Sequence, residues 1–221
     1  MDWLTGIGPL IDAILNGDVW TLRTALRSPA SWTAGLIVTL TAGFLLMLAY
    51  RKSRFLDTKL EPAIMVVSYL TIGIIIFVEV IRRFVFNDQA PWSTTIPPFL
   101  FLIMTWFGCS WNVRLRTHLS FSELRTNLPR AGQMACLVLD ALLWIAFSWV
   151  VMVTSTRVVV NSMSNFQIML GTDNVMQWWF LLSVPIAFIS LVARAMENLL
   201  QDFENYRDDN PLIEQTVIGG D

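Results

Sequence analysis

Few residues of this 221-residue chain have the means to do chemistry, and they are quickly named. Asp140 is an acid set inside an apolar run, about 9 Å past Met134 at about 1.5 Å per residue. A carboxylate centred in a bilayer costs roughly 2.5–3.5 kcal/mol on insertion scales, so its presence invites a proton or sodium role. Ion sites need several converging oxygens, however, and the other apolar runs offer mostly Ser, Thr and Asn112. A hydrogen bond from Asp140 to a neighbouring helix is the simpler reading. His118 is the single histidine, which removes bis-histidine haem and, without a Cys cluster, most transition-metal sites. Cys109 and Cys136 both lie in apolar runs and read as buried small hydrophobes. The patterns GxxxxGK[ST], GxSxG and HExxH do not occur. A self-contained membrane enzyme or channel would have to work with Asp140 and His118 alone. No cofactor or metal site is expected.

A second cluster stands in "EVIRRFVFNDQAPW", Glu79 to Trp92, where an apolar run stops at one acid and two arginines. Glu79 and Arg83 are four residues apart with the acid first, the favourable order for a pair on one helix face. Near a bilayer edge such charges stay close to headgroups while their stems cover apolar surface. Either they simply snorkel, or they contact lipid phosphate or another subunit. Trp92, after Pro91, has the type and place of an interfacial belt residue, as do Trp178 and Trp179.

The elements that must position these residues are long apolar helices. The chain is 55% hydrophobic and only 14% charged, with a mean hydropathy of +0.57, whereas soluble domains carry about 25% charged residues. Ten Trp and fourteen Phe suit the aromatic belts of a bilayer. The net charge of −2 and the lack of a basic block exclude a nucleic-acid partner. The expected class is an all-α integral membrane protein. A span takes about 20 apolar residues, and five windows qualify: Trp32–Tyr50, Pro62–Ile81, Ile96–Val113, Met134–Val153 and Val175–Ala193. In the first, Gly35, Thr39 and Gly43 recur every four residues and permit close helix contact.

Ten Lys and Arg fall on one side of these spans and five on the other. The richer side should be cytoplasmic, which puts the N-terminus and the Arg83–Trp92 hairpin outside and the C-terminus inside. The opening segment lacks a positive leader and a cleavage site, so it reads as an amphipathic surface helix rather than a signal peptide. The loop "RTHLSFSELRTNLP" alternates charge and apolar groups, like an interfacial helix or a capped solvated loop. The expected organisation is an amphipathic surface segment over residues 1–31, a transmembrane helix and cytoplasmic loop over 32–60, a four-helix core over 61–200, and an acidic cytoplasmic tail over 201–221. The paired, Gly/Pro-broken spans of inverted-repeat transporters are absent.

The order "RRFVFN…PW…WFG…NVRLRTHLSF" resembles the small membrane subunit of tripartite ATP-independent periplasmic (TRAP) transporters, the DctQ-like family. Arg83, Phe84, Phe86 and Asn87 match its first element, Pro91 and Trp92 its second, Trp106 and Gly108 its third, and Arg114 and His118 close the set. The likeness runs from Glu61 to Leu200. Thr94 and Thr95 stand where the family usually has an acidic pair, Ile103 stands where a Trp is common, and Trp32–Tyr50 is a span ahead of the four-helix core.

The resemblance implies a non-catalytic scaffold in a bacterial inner membrane. Its partners would be a large multi-spanning subunit that moves substrate by an elevator-like motion, usually driven by sodium, and a periplasmic binding protein that delivers an organic acid. It implies partner or lipid-interface roles for Arg83, Trp92, Gly108, Arg114 and His118: close helix approach at Gly108, contact with phospholipid headgroups at Arg83, Arg114 and Trp92, and a hydrogen-bonded anchor at His118. Spans with almost no buried polar groups, as the sequence is read here, make a poor translocation path and a sound packing partner.

Overall fold

The structure is a computed structural model describing residues 7–117, 125 and 127–212. His118 and most of the loop around it lie outside the described residues. Two short helices, α1 (Ile7–Leu15) and α2 (Val19–Ala25), precede α3 (Ala30–Lys52), α4 (Arg54–Val85), α5 (Ile96–Leu115), α6 (Arg130–Ser164), α7 (Gln177–Leu181) and α8 (Ser183–Arg207). A single 3-10 turn, Pro91–Ser93, leads into α5. Five helical segments are long and apolar enough to cross a membrane: α3, α4, α5 with its preceding turn, α6, and α7 with α8. Each contains most or all of one expected window. The chain is an all-α, multi-pass membrane protein.

Its helices run well past the apolar windows. At about 1.5 Å per residue, the 35 residues of α6 make a rod of about 52 Å, against a hydrocarbon core of about 30 Å. The cytoplasmic loop expected between the first two spans shrinks to one residue. Ser53 has extended backbone (φ −124°, ψ 105°), donates its N–H to Ala49 O, and offers its hydroxyl to the Leu56 N–H as an N-cap. The chain therefore turns within one residue, and Arg54–Leu60 become the first turns of α4.

The most buried span is α8, which packs against α3, α5 and α6. Its contact face is built of small or compact residues, among them Ala187, Ser190, Ala193 and Ala195. The Gly35/Gly43 stripe is a contact face in fact: a Cβ on Gly35 would fall 2.3 Å from Val153 Cγ2 of α6, and one on Gly43 would fall 2.5 Å from Val192 Cγ1 of α8. By contrast α4 packs chiefly on α5 and leaves most of its circumference open.

The amphipathic N-terminal segment folds as two helices rather than one. Gly17 (φ +64°) lets the chain turn, and Asp18 caps α2 by accepting the N–H groups of Trp20 (3.0 Å) and Thr21 (3.2 Å). The Thr21 hydroxyl, and then its backbone N–H, hold the Asp18 carboxyl below the usual range. Leu10 and Leu26 bury against Val160 of α6, so the segment is docked on the end of the bundle where α6 finishes.

Candidate functional site

The last turns of α3 and α5, the first turns of α4 and the middle of α8 converge on a polar cluster at the side expected to be cytoplasmic, centred on Arg194. This guanidinium is completely buried, as is the carboxylate of Glu61. Arg194 Nε donates to both Glu61 oxygens (3.1 and 3.2 Å). Nη1 donates to Asp57 Oδ1 (2.6 Å) and Glu197 Oε2 (2.9 Å), and Nη2 to the Asp57 carbonyl and Glu61 Oε2 (2.7 Å each). All five N–H groups thus have acceptors, and the guanidinium carbon lies 3.8 Å from the centre of the Tyr50 ring. Such full satisfaction is what allows an arginine to be buried at all.

The carboxylate of Glu61 is equally enclosed. Its Oε1 accepts from Ser190 Oγ (2.6 Å) and Ser110 Oγ (2.8 Å), while the Tyr50 hydroxyl lies 2.8 Å from Ser190 Oγ. Three hydroxyl protons suffice for one consistent arrangement: Tyr50 donates to Ser190, and both serines donate to Glu61. Asp57 bridges outward, since its Oδ2 accepts from Arg114 Nη2 at 2.6 Å. Arg114 stacks over Trp111, 4.7 Å from guanidinium carbon to ring centre. Two guanidiniums and three carboxylates therefore form one continuous network.

Further polar contacts close the same end. Arg116, left-handed at the C-cap of α5 (φ 55°), pairs with Asp202 at 2.7 Å and donates to the Asn198 carbonyl at 3.1 Å. Asn198 returns a bond to the Val113 carbonyl (2.8 Å). Arg130, the first residue of α6, donates to the carbonyls of Asn205 and Tyr206 at 3.0 and 3.1 Å, where cations offset the α8 dipole. A cleft of about 350 Å³ opens beside the cluster, lined by Arg51, Arg114, Glu197, Asn198, Gln201 and Glu204 among others. Its charges are mixed. Among the described residues no group of three His, Cys, Asp or Glu is placed to hold a metal.

The sequence-selected residues are scattered around this cluster. Arg114 belongs to it. Gly108 is buried two turns along α5, where an added Cβ would lie 3.4 Å from Met65 Cε of α4, so it serves a contact within the chain. Asp140 meets Arg125 at 3.5 Å with 28% of its side chain exposed. Glu79 does not pair with Arg83: its Oε1 accepts the Ala90 N–H at 3.2 Å, and Arg82 takes Asp88 as its ion-pair partner. Both contacts fold the 86–90 loop back on α4, around Asn87 in the left-handed region (φ 51°). That leaves Arg83 exposed and, among the described residues, without an ion-pair partner. Trp92 is half-buried in the 3-10 turn, which rests on the 165–176 loop. There Gly171 is required, because a Cβ would fall 2.5 Å from the Pro91 carbonyl carbon, and Thr95 Oγ1 donates to the Leu170 carbonyl at 2.8 Å.

The expectation of almost no buried polar groups is corrected by Glu61 and Arg194. Both lie at the edges of apolar windows, where a charge reads as a headgroup contact. The signal that could have found them is the set of polar residues at or near the ends of three apolar windows, Tyr50, Ser110 and Ser190, which meet around Glu61. With this geometry in hand, comparison with known proteins gives one match: the model of the family described as "Tripartite ATP-independent periplasmic transporters, DctQ component" covers residues 72–205, more than half of the chain. No curated protein matches it.

Proposed function

The chain belongs to the DctQ-component family of tripartite ATP-independent periplasmic transporters, and from that premise we propose that it is the fixed membrane scaffold of such a transporter. Membership makes it a membrane component that works with other transporter subunits, in a family not known for enzymes. The finer reading is ours: a bacterial inner-membrane protein, N-terminus outside, that holds a large elevator-type subunit while ions drive uptake of an organic acid handed over by a periplasmic binding protein.

One observation carries this reading. The fully buried charges, Arg194 and Glu61, are satisfied within the chain, in a network that ties four helices together. A group that must bind and release an ion needs free ligating oxygens; here three carboxylates converge on one guanidinium instead. The arrangement suits a part that stays still while a partner moves. At the opposite end the hairpin satisfies Glu79 and Arg82 internally and leaves Arg83 projecting. Arg83 and Trp92 are accordingly the outer contacts we assign to the large subunit, or to a phospholipid wedged against it, through a forked guanidinium contact and a rigid indole with one N–H donor.

The test is recovery of the large subunit, co-expressed with this chain, in mild detergent, with transport in proteoliposomes as the second readout. Arg83→Lys and Trp92→Ala should each lower recovery, and the double variant should lose less than the sum because both serve one contact. Wild-type recovery and transport for all three would return the hairpin to an ordinary membrane turn. A wild-type chain that recovers no larger membrane subunit would sink the scaffold reading itself.

A further inference from the structure

The outer two-thirds of α4 expose a largely aliphatic face that this chain does not cover, interrupted at mid-length by one polar group. Between Glu61 and Glu79 the helix carries no charge. Tyr69 lies eight residues from the first and ten from the second, about 12 and 15 Å at about 1.5 Å per residue, and so near the middle of the apolar stretch. It is 66% exposed, and among the described residues its hydroxyl has no hydrogen-bond partner. Tyrosine is enriched at membrane surfaces, where its hydroxyl meets water and headgroups. At this depth the phenol reaches neither surface, and a bare hydroxyl in hydrocarbon is unfavourable.

One turn further along the same face stands Gly73. Four other glycines within the long helices have a side chain seated close to them: Val153 at Gly35, Val192 at Gly43, Met65 at Gly108 and Leu128 at Gly132. A Cβ on Gly73 would meet nothing within 4 Å. The seat is open, and the side chains beside it, Tyr69, Ile72, Ile76 and Phe77, all belong to α4 itself. The face continues outward to Arg83, fourteen residues after Tyr69 and about 40° from it around the helix. Read along α4, it offers a hydroxyl donor at mid-depth, a glycine seat beside it, and an unpaired cation at the outer end.

We propose that this face is the docking site for one transmembrane helix of the large subunit. That helix presents a hydrogen-bond acceptor to Tyr69, seats an apolar side chain on Gly73, and carries an acid near its outer end against Arg83. Lipid tails offer no acceptor at the depth of Tyr69, so protein is the occupant that this hydroxyl selects. The inference rests on the scaffold reading above and names the surface that reading requires.

The test uses the co-expressed complex and three variants. Tyr69→Phe removes one oxygen and should lower recovery of the large subunit about two- to tenfold, the yield of one hydrogen bond. Gly73→Leu fills the seat and should lower it about tenfold or more, by overpacking. Leu139→Trp, on an exposed position of α6, should leave recovery unchanged. Because Gly73 meets nothing within this chain, Gly73→Leu should melt like the wild-type chain when purified alone, which separates docking from folding. A benzophenone side chain at Ile76 should cross-link the large subunit under light, and one at Leu139 should not. Wild-type recovery for both Tyr69→Phe and Gly73→Leu, or cross-linking at Ile76 to lipid alone, overturns the assignment while leaving the scaffold reading intact if wild-type recovery stands. Loss with Gly73→Leu alone, together with protein cross-linking at Ile76, keeps the seat and refutes the role of the hydroxyl.

Discussion

Replacing Arg194 by methionine keeps the length of the side chain and removes its charge. In the folded protein this strands Glu61, which is fully buried, with hydroxyl donors and no cation. Breaking a buried pair from one side costs about 3–5 kcal/mol. For a chain of this size each kcal/mol moves a melting temperature by about 2–4 °C, so Arg194→Met should lower it by roughly 6–20 °C. Glu61→Leu should cost less, about 1–3 kcal/mol, because Asp57 and Glu197 still accept from Arg194 Nη1. The double variant removes both buried charges, and apolar replacement of a buried pair is often neutral. Its cost should therefore fall back to about that of Glu61→Leu alone, a coupling of about 3–5 kcal/mol. The assay is thermal unfolding in mild detergent followed by tryptophan fluorescence, with ten Trp as reporters. If Arg194→Met melts within about 2 °C of wild type, or if the two single losses simply add, the network is not the lock described here.

Other consequences follow from the same structure. In a background without Cys109 and Cys136, single cysteines at Asn16 and Thr172 should react with an impermeant maleimide from outside, and one at Asn127 only after permeabilisation; outside labelling of Asn127 would invert the topology. Gly43→Ala places a methyl against Val192 and should cost about 1–3 kcal/mol, with much of it recovered by Val192→Ala; an unchanged melting temperature would show that α3 and α8 are looser than drawn. Asp140→Asn weakens a partly exposed ion pair with Arg125, of a kind worth about 0–1 kcal/mol, and the assembled transporter should keep appreciable activity. Lost ion coupling in a normally assembled Asp140→Asn complex would contradict the scaffold reading. The Asp18 carboxyl is held below its ordinary value by Thr21. Its contribution to α2 is complete above the unfolded value of 3.8 and fades as pH falls through the lower folded value. Proteolysis around Gly17 should increase only in strong acid, and Asp18→Asn should abolish that dependence.

The spans were legible in the sequence because apolar windows need no partner to be recognised, and the Gly35/Gly43 stripe was legible because close packing leaves its mark at fixed spacing. The polar cluster was not. Hydropathy reads each helix alone and stops where charge begins, so Asp57 and Glu61 fell outside the start of one window and Arg194 and Glu197 outside the end of another, with nothing to join the two edges. What unites them is that α4 and α8 both continue beyond those edges, so that the Arg194 side chain reaches Asp57 and Glu61, and this depends on Ser53 turning the chain within one residue. Glu79 failed for a related reason. Helix spacing favours Arg83 as its partner, but the Ala90 N–H needs an acceptor once the loop folds back, and a carboxylate already close by satisfies it. That competition determines what α4 presents outward. With Glu79 engaged by the loop and Arg82 by Asp88, Arg83 remains the available cation at the end of a face that already carries an unpaired hydroxyl and an empty glycine seat. Two parts of the molecule therefore differ in kind: the end around Arg194 closes on itself through ion pairs, and the open face of α4 stays chemically incomplete. A scaffold needs that asymmetry, because the rigid end preserves the shape that the open face offers to its partner.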